Sequence, residues 1–432
     1  MGTQSFILQQ EELRWAIREA NRCLNCKAPQ CQKGCPIAND IPEFLQALGQ
    51  GNLGEARKII ARKSNLPAIC GRVCAHENQC EGHCVLNRTG KPIAVGALER
   101  VIADFAFDMT MPLEKVPQKT RGKVAVIGSG PAGLTVAGDL AKSGFAVTVF
   151  ESMAEPGGIL LYGIPSFRLS KKVVRREIAT IENLGVHFQV QCTVGEDITV
   201  DHLFQQGFDA VFIGSGTATA RDLDLPGRRL KGIVQSSYLL RATYLFRSGQ
   251  FGREEVPINH GDRVLVIGAG NVGMDSARTA VRMGAQSVTV LYRGDKESIT
   301  ALPSEYEGAK ADGVQFISDS TPLAFLGEEG ILTGIRVRQT AGEKDIPADK
   351  IFLAIGSRPA NRIVSSTKGI DVDSGGYVII RDQPYGMTTR KGVFAGGDVV
   401  HKPATVVLAM REAKKVAVGI ERYVDAVKLL DL

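Results

Sequence analysis

The chain's 432 residues, 44% hydrophobic and 23% charged with 48 glycines, describe a soluble α/β protein of two or three domains with ample core. The net charge of +6 is mildly basic, but lysines and arginines are spread among acids and no aromatic-laced basic stripe occurs, which disfavours nucleic-acid binding. No stretch approaches the roughly 20 apolar residues that span a membrane, and the expected location is the cytoplasm, whose reducing conditions suit thiolate-bound clusters.

The N-terminal segment MGTQSFILQQEELRWAIREA lacks an apolar signal core and reads as an amphipathic, charged helix; Phe6 also breaks a myristoylation motif. Eight of the nine cysteines follow in two quartets, Cys23, Cys26, Cys31 and Cys35, then Cys70, Cys74, Cys80 and Cys84. The first reads C-x2-C-x4-C-x3-C with Pro36 next, close to the run that wraps a cubane iron–sulfur cluster while its last thiolate serves a neighbouring one. Two 4Fe-4S clusters are therefore expected. A structural zinc site would call for paired C-x2-C knuckles, whereas the second quartet is C-x3-C-x5-C-x3-C. A disulfide framework would need an oxidising compartment, to which this N-terminus does not point. On the residues alone, Cys70 is preferred as the fourth ligand of the second cluster, with Glu99 left to a helix salt bridge. Helical spacing of apolar positions over 36–62 and 93–108 puts the cysteines on loops of an all-helical domain, 1–111. The polar, proline-marked PLEKVPQKTRG then reads as a linker.

Residues 123–151 form a complete βαβ unit: an apolar run, a glycine turn, a helix of small residues and a second apolar run ending in an acid. Gly128 permits the tight turn, Gly130 lets the backbone approach a pyrophosphate, Pro131 and Ala132 open the helix, and Gly133 lets helix and strand pack closely. Glu151 is placed for a ribose hydroxyl. The unit returns at 263–294 with Gly268, Gly270, Asn271 and Gly273, but its second strand ends in Tyr292 and Arg293, followed by Gly294 and Asp295. An arginine there suits the 2′-phosphate of NADPH, while Asp295 keeps NADH in play. An acid after the first unit and a base after the second suggest FAD in one and a nicotinamide in the other. A nicotinamide gives up two electrons together and a cluster takes one at a time, so a flavin is needed between them. Near the C-terminus the turn Gly396-Gly397-Asp398 offers a carboxylate to the ribityl chain, and a helix beginning near Ala404 and Thr405 presents its N-terminus to the flavin. The alternative for Asp398 is a simple turn cap.

Several strings together, RCLNCKAPQCQKGCP, AICGRVCAHENQCEGHC, EPGGILLYGIPSFRL, GNVGMDSARTAVRMGA and AGGDVVHKPATVVLAM, resemble the glutamate synthase small-subunit family nearly end to end. That family includes the N-terminal half of dihydropyrimidine dehydrogenase and the large subunit of NADH-dependent ferredoxin:NADP oxidoreductase. The resemblance implies a helical iron–sulfur domain followed by two Rossmann-like domains: an FAD domain at 121–250 and 365–432, with an NAD(P)H domain inserted at 251–364. It implies one cluster on Cys23, Cys26, Cys31 and Cys84, and another on Cys35, Cys74, Cys80 and Glu99, leaving Cys70 spare. It also places the loop bearing Gly157, Gly158 and Arg168 beside the flavin. One departure concerns the nucleotide: NADPH-using members often carry paired arginines after the tyrosine, and Gly294 replaces the second here.

The resemblance implies that NAD(P)H electrons pass through FAD and the clusters to a partner, either a large catalytic subunit or a ferredoxin-type or flavoprotein acceptor. The alternatives are a ferredoxin-linked transhydrogenase, a pyrimidine-reducing subunit, and a non-catalytic scaffold. The basic run Lys171, Lys172, Arg175 and Arg176 reads as a solvated face, with docking of an acidic partner as the alternative. Cys192 is expected in the core.

Overall fold

The computed structural model describes residues 3–108 and 116–430. The expected end of the helical domain at Met111 and the linker residues 112–115 lie outside the described residues. Two compact units emerge, one comprising Met1–Leu160, Arg168–Thr217 and Pro359–Leu432, the other Leu161–Phe167 and Ala218–Arg358.

The first unit opens with the helices α1 (Thr3–Ala20), α2 (Ile41–Gly49), α3 (Leu53–Ala61), α4 (Pro67–Val73) and α5 (Val95–Asp108), with a single helical turn, Gln30–Gly34, between α1 and α2. Ile41, Phe44, Leu45 and Leu48 recur at helical spacing on α2 and are buried against Ile59, Ile60, Leu98 and Ile102. The Asn52 side chain caps α3 by accepting the Glu55 N–H at 3.1 Å, and Pro67 starts α4 where an amide hydrogen has no helical partner. Two cysteines expected on loops are helical, Cys70 within α4 and Cys31 within the short helix Gln30–Gly34, while the others lie outside α-helices.

Strand β1 (Gly122–Ile127), helix α6 (Pro131–Lys142) and β2 (Phe145–Phe150) follow, then α7 (Lys171–Glu182), β3 (His187–Gln189) and β4 (Ala210–Ile213). Val124 to Ile127 are all buried, the continuous apolar run of a parallel strand covered on both faces.

The second unit contains β5 (Ile233–Gln235), α8 (Ser236–Arg247), β6 (Arg263–Ile267), α9 (Asn271–Arg282), β7 (Ser287–Leu291) and β8 (Gln315–Ile317). An antiparallel meander of β9 (Thr321–Glu328), β10 (Ile331–Gln339) and β11 (Gly342–Pro347) precedes β12 (Lys350–Leu353). Its parallel sheet runs in the order β5-β12-β6-β7-β8. The segment Leu161–Phe167 is held there by Tyr162 edge-on to Tyr244, with centroids 5.2 Å apart, and by Phe167 beneath the Arg278 and Arg282 guanidiniums at 4.7 and 4.1 Å.

The chain then returns to the first unit through β13 (Ile380–Asp382), β14 (Tyr385–Thr388), β15 (Val393–Ala395) and α10 (Val406–Leu429). The sheet order is β13-β14-β15-β4-β1-β2-β3, with β15 running parallel beside β4. The expected class holds: a helical N-terminal domain followed by two Rossmann-like α/β folds.

Candidate cofactor sites

The first glycine turn is built by backbone packing. Gly128 has φ +93° and donates to the Phe150 carbonyl at 2.8 Å, tying the two strands of the unit together. A Cβ at Gly133 would stand 1.9 Å from the Gly128 oxygen, so only glycine lets α6 approach the turn. At Gly130 the situation reverses: a Cβ there would meet no heavy atom within 4 Å. The backbone is bare on an open side at the N-terminus of a twelve-residue helix, which is what a dinucleotide's phosphates require.

The other expected flavin residues gather here. A Cβ at Gly158 would lie 2.9 Å from Gly130 Cα, and one at Gly397 would lie 2.8 Å from Ala132 Cβ. The Gly-rich loop and the C-terminal turn therefore close on the same helix start. Pro131 occupies the first helical position of α6, where it needs no amide partner. Gly157 has φ +136°, and Arg168 is half-buried in the same unit. Asp398 is partly buried, and burial raises its carboxyl to about 6 against the opposing Ala404 amide. Thr405 is the N-cap of α10, its hydroxyl oxygen buried without a partner.

Glu151 is buried, and its carboxylate accepts from Ser129 N–H at 3.1 Å, Ser129 O–H at 2.5 Å and Met153 N–H at 2.8 Å. Ser129 in turn accepts the Gly157 N–H at 2.8 Å. Ser129, a position that sequence reasoning passed over, thus locks the glycine turn, the acid and the loop together. Its only sequence signal is its place inside G-x-G.

The second turn repeats the geometry. Gly268 has φ +117° and donates to Leu291 at 2.9 Å, and a Cβ at Gly273 would stand 2.1 Å from the Gly268 oxygen. Gly270 is less open, with Thr300 Oγ1 at 3.4 Å from its Cβ position, and Asn271 Oδ1 accepts the Leu302 N–H at 3.0 Å. Asp295 turns back into its own loop and accepts the Ser298 N–H at 2.9 Å, whereas Arg293 is exposed. A Cβ at Gly294 would fall 2.1 Å from Ser298 Oγ, so this loop, as closed, has no room for a second arginine.

The cysteines sort into two sets that cut across their order in sequence. Cys23, Cys26, Cys31 and Cys84 line one pocket, whose remaining wall includes Leu24, Ile41, Leu45, Leu86 and Ile93. Burial pushes the Cys31 thiol up to about 11; the Gln32 amide opposes it, and Cys23, Cys84 and Cys26 add to the rise. The second set is Cys35, Cys70, Cys74, Cys80 and Glu99. Burial lifts Cys35 to about 11, with Glu99 and Cys70 contributing against the Asn39 and Ile37 amides. A hydrogen bond with Cys70, then burial, then the charges of Cys70, Glu99 and Cys80 raise Cys74 strongly. Burial first, then Glu177, lifts the Glu99 carboxyl to about 8, and its Oε1 is buried without a hydrogen-bond partner.

Such a knot of buried acids, none of whose shifts at Cys35, Cys74, Cys80 or Glu99 comes from a cation among the described residues, fits ligands whose countercharge is a metal cluster. Among the described residues, no three His, Cys, Asp or Glu side chains close around a single ion. All nine cysteines are free thiols. Cys70 Sγ contacts Met410 Sδ at 3.7 Å and Ser64 Oγ at 3.9 Å.

The basic run is a solvated face only in part: Lys172 and Arg175 are exposed, Arg175 pairing with Glu155 at 2.7 Å, whereas Lys171 is buried and donates to the Leu160 carbonyl at 3.0 Å and Arg176 is half-buried and pairs with Asp104. Cys192 lies in the core beneath β2 and β4.

Two family comparisons agree with this geometry. Residues 4–111 match dihydropyrimidine dehydrogenase domain II, 4Fe-4S cluster, and residues 122–413 match pyridine nucleotide-disulphide oxidoreductase. The glutamate synthase [NADPH] small chain of Halomonas elongata is 37% identical, over 95% of this chain and 91% of that one. The NAD-dependent dihydropyrimidine dehydrogenase subunit PreT homolog of Salmonella typhi is 34% identical, over 95% and 94%. Among solved structures, Mycobacterium tuberculosis FprA in complex with NADPH shares the fold with TM-score 0.59 at 18% identity, covering 72% of this chain and 86% of that one.

Proposed function

Because the chain belongs to the pyridine nucleotide-disulphide oxidoreductase family, among the glutamate synthase small chains and their relatives, we propose that it is an NAD(P)H-oxidising electron-input subunit. It draws electrons from NADPH through FAD and two 4Fe-4S clusters and delivers them, in the cytoplasm, to a large catalytic subunit making glutamate from glutamine and 2-oxoglutarate. One observation carries this reading: the bare backbone at Gly130 and both cysteine sets lie in the same compact unit.

A bound flavin supplies the exchange between a hydride's electron pair and the single electrons a cluster accepts. The chain's own residues bind and orient. Gly128, Gly130, Pro131, Ala132 and Gly133 leave room for the FAD diphosphate, with Glu151 toward the ribose. Gly157, Gly158, Arg168, Gly397, Asp398, Ala404 and Thr405 surround the rest of that cofactor. Gly268, Gly270, Asn271, Gly273 and Arg293 take the nicotinamide nucleotide. Cys23, Cys26, Cys31 and Cys84 hold one cluster; Cys35, Cys74, Cys80 and Glu99 hold the other, supported by the unpartnered Glu99 oxygen and by the contacts that occupy Cys70.

Anaerobic stopped-flow spectroscopy tests the reading: NADPH should bleach the bound flavin, and a large subunit should confer glutamine- and 2-oxoglutarate-dependent oxidation. A flavin left yellow by both nicotinamides rules it out. A second reading, an NADH-using subunit of a dihydropyrimidine dehydrogenase, is favoured by Gly294, whose tight loop excludes the second arginine. Pyrimidine-dependent NADH oxidation with a companion subunit would establish that alternative.

A further inference from the structure

The chain between α3 and α4 is buried where a connection ordinarily runs over the surface: Ser64, Asn65 and Leu66 are 2%, 6% and 0% exposed. A polar side chain taken out of water must find partners, and Asn65 finds two on α6. Its amide donates to Asp139 Oδ1 at 2.8 Å and to the Thr135 carbonyl at 3.3 Å, from residues four apart on one face of that helix. Gly138 lies beside Asp139, and a Cβ there would stand 2.6 Å from Asn65 Nδ2. The amide thus seats in a notch that exists because position 138 has no side chain.

The notch joins two sites. Helix α6 begins at the bare Gly130 turn, and the Asp139 carboxylate that receives Asn65 is fixed at its other oxygen by Lys414 of α10, at 2.7 Å. Helix α4 begins two residues after Asn65, carries Cys70 and ends on Cys74, its C-cap. Further attachments flank the notch: Lys142 donates to the Ala61 carbonyl at 2.8 Å, and Glu177 of α7 accepts the Ala68 N–H at 2.8 Å. A reaction step that spans a gap depends steeply on how exactly its two ends are held, so the groups that fix the gap set the rate.

We propose that Asn65 is a positioning residue for the internal electron step: by keying α4 into the Gly138 notch of α6, it fixes the separation between the flavin site at the Gly130 turn and the second cysteine set, through Cys74. The proposal rests on the reading of the chain as an electron-input subunit. The step concerned moves one electron from the NADPH-reduced flavin to the oxidised cluster; the flavin's proton passes to water, and the hydrogen bonds of Asn65 stay intact.

The holoprotein is mixed anaerobically with NADPH, flavin bleaching being followed by absorbance and cluster reduction by freeze-quench electron paramagnetic resonance. In wild type the cluster signal should follow bleaching. Asn65→Ala removes both hydrogen bonds, and Gly138→Ala drives the intact amide from its seat. Each should slow cluster reduction about tenfold or more, while the bleaching rate, the KM for NADPH and the iron content keep their wild-type values. Flavin and cluster potentials from equilibrium redox titration should also stay unchanged, which assigns the loss to distance and not to driving force. In Asn65→Ala/Gly138→Ala the added methyl enters space the amide has left, so the double variant should be no slower than Asn65→Ala alone.

Equal cluster-reduction rates in wild type and both single variants overturn the proposal alone, whatever their melting temperatures, because Asn65 would then be merely structural. A slowed variant whose potentials have shifted enough to explain the loss overturns it too. If Asn65→Ala does not take up its cofactors, Gly138→Ala, a change that favours the helix, decides on the same rates. A wild type whose flavin NADPH does not bleach, or whose clusters stay oxidised behind a bleached flavin, removes the functional reading and the proposal with it.

Discussion

The Cys70 thiol is in contact with Met410 Sδ, 340 residues away in sequence, and it also hydrogen-bonds Cys74; the proposal under test is that Glu99 rather than Cys70 completes the second cluster. Replacing Glu99 with Ala should therefore reduce bound iron from about eight toward about four per chain, or visibly alter the paramagnetic spectrum. Cys70→Ala should keep the iron and lose only about 1 kcal/mol of stability through a small cavity. Iron analysis with electron paramagnetic resonance separates the two; equal iron in wild type and Glu99→Ala would return Cys70 to the ligand set.

The two glycines of the first turn predict opposite failures. At Gly133 a Cβ collides with the Gly128 oxygen, so Gly133→Val should fold poorly. At Gly130 a Cβ points into open space, so Gly130→Val should melt within a few degrees of wild type and yet purify without flavin. Thermal unfolding of the flavin-free chains, beside the absorbance of the proteins as purified, reads both properties. A yellow Gly130→Val protein would dismiss the phosphate cradle.

Arg293 is the exposed cation at the end of β7, and Asp295 is spent on Ser298. Arg293→Ala should raise KM for NADPH about tenfold, the loss of one charge-assisted hydrogen bond, while leaving NADH kinetics within about twofold. Equal changes for both nucleotides would show that the arginine does not read the 2′-phosphate.

Glu177 is buried where α7 meets α4 and accepts the Ala68 N–H at 2.8 Å. Burial, chiefly, raises its carboxyl from 4.5 to about 7, so between those values the folded chain keeps a proton that the unfolded chain has released. Its stabilising share is complete below about 4.5 and is lost as pH rises through about 7. Glu177→Gln should flatten that part of the curve. Chemical denaturation between pH 4.5 and 8 measures it, and parallel curves for variant and wild type would refute the assignment.

Much of this was legible because it is local. The tight turns at Gly128 and Gly268, the helices they start and the strands they join depend on residues within about thirty positions, and their periodicity declares them. The two quartets declared their chemistry for the same reason. Their partition did not follow from spacing, because Cys84 crosses to the first set only once the helical core has brought residues 23–31 and 84–93 around one cavity. Ser129 was hidden by being small and polar in a turn where small residues are common. The run at Lys171 was legible only in part, because Asp104 and the Leu160 carbonyl, which draw Arg176 and Lys171 inward while Lys172 and Arg175 stay exposed, come from other elements. The short strand β5 left too little pattern to announce its place beside β12.

Strand β15 lies between β14 and β4, and its Val393, Phe394 and Ala395 pair in parallel with Val211, Phe212 and Ile213. During translation, the sheet that carries the Gly130 turn lacks β13, β14 and β15 until residues 380–395 have been made, long after the helices around the cysteines. A premature stop before residue 393 should leave a brown protein unable to keep its flavin.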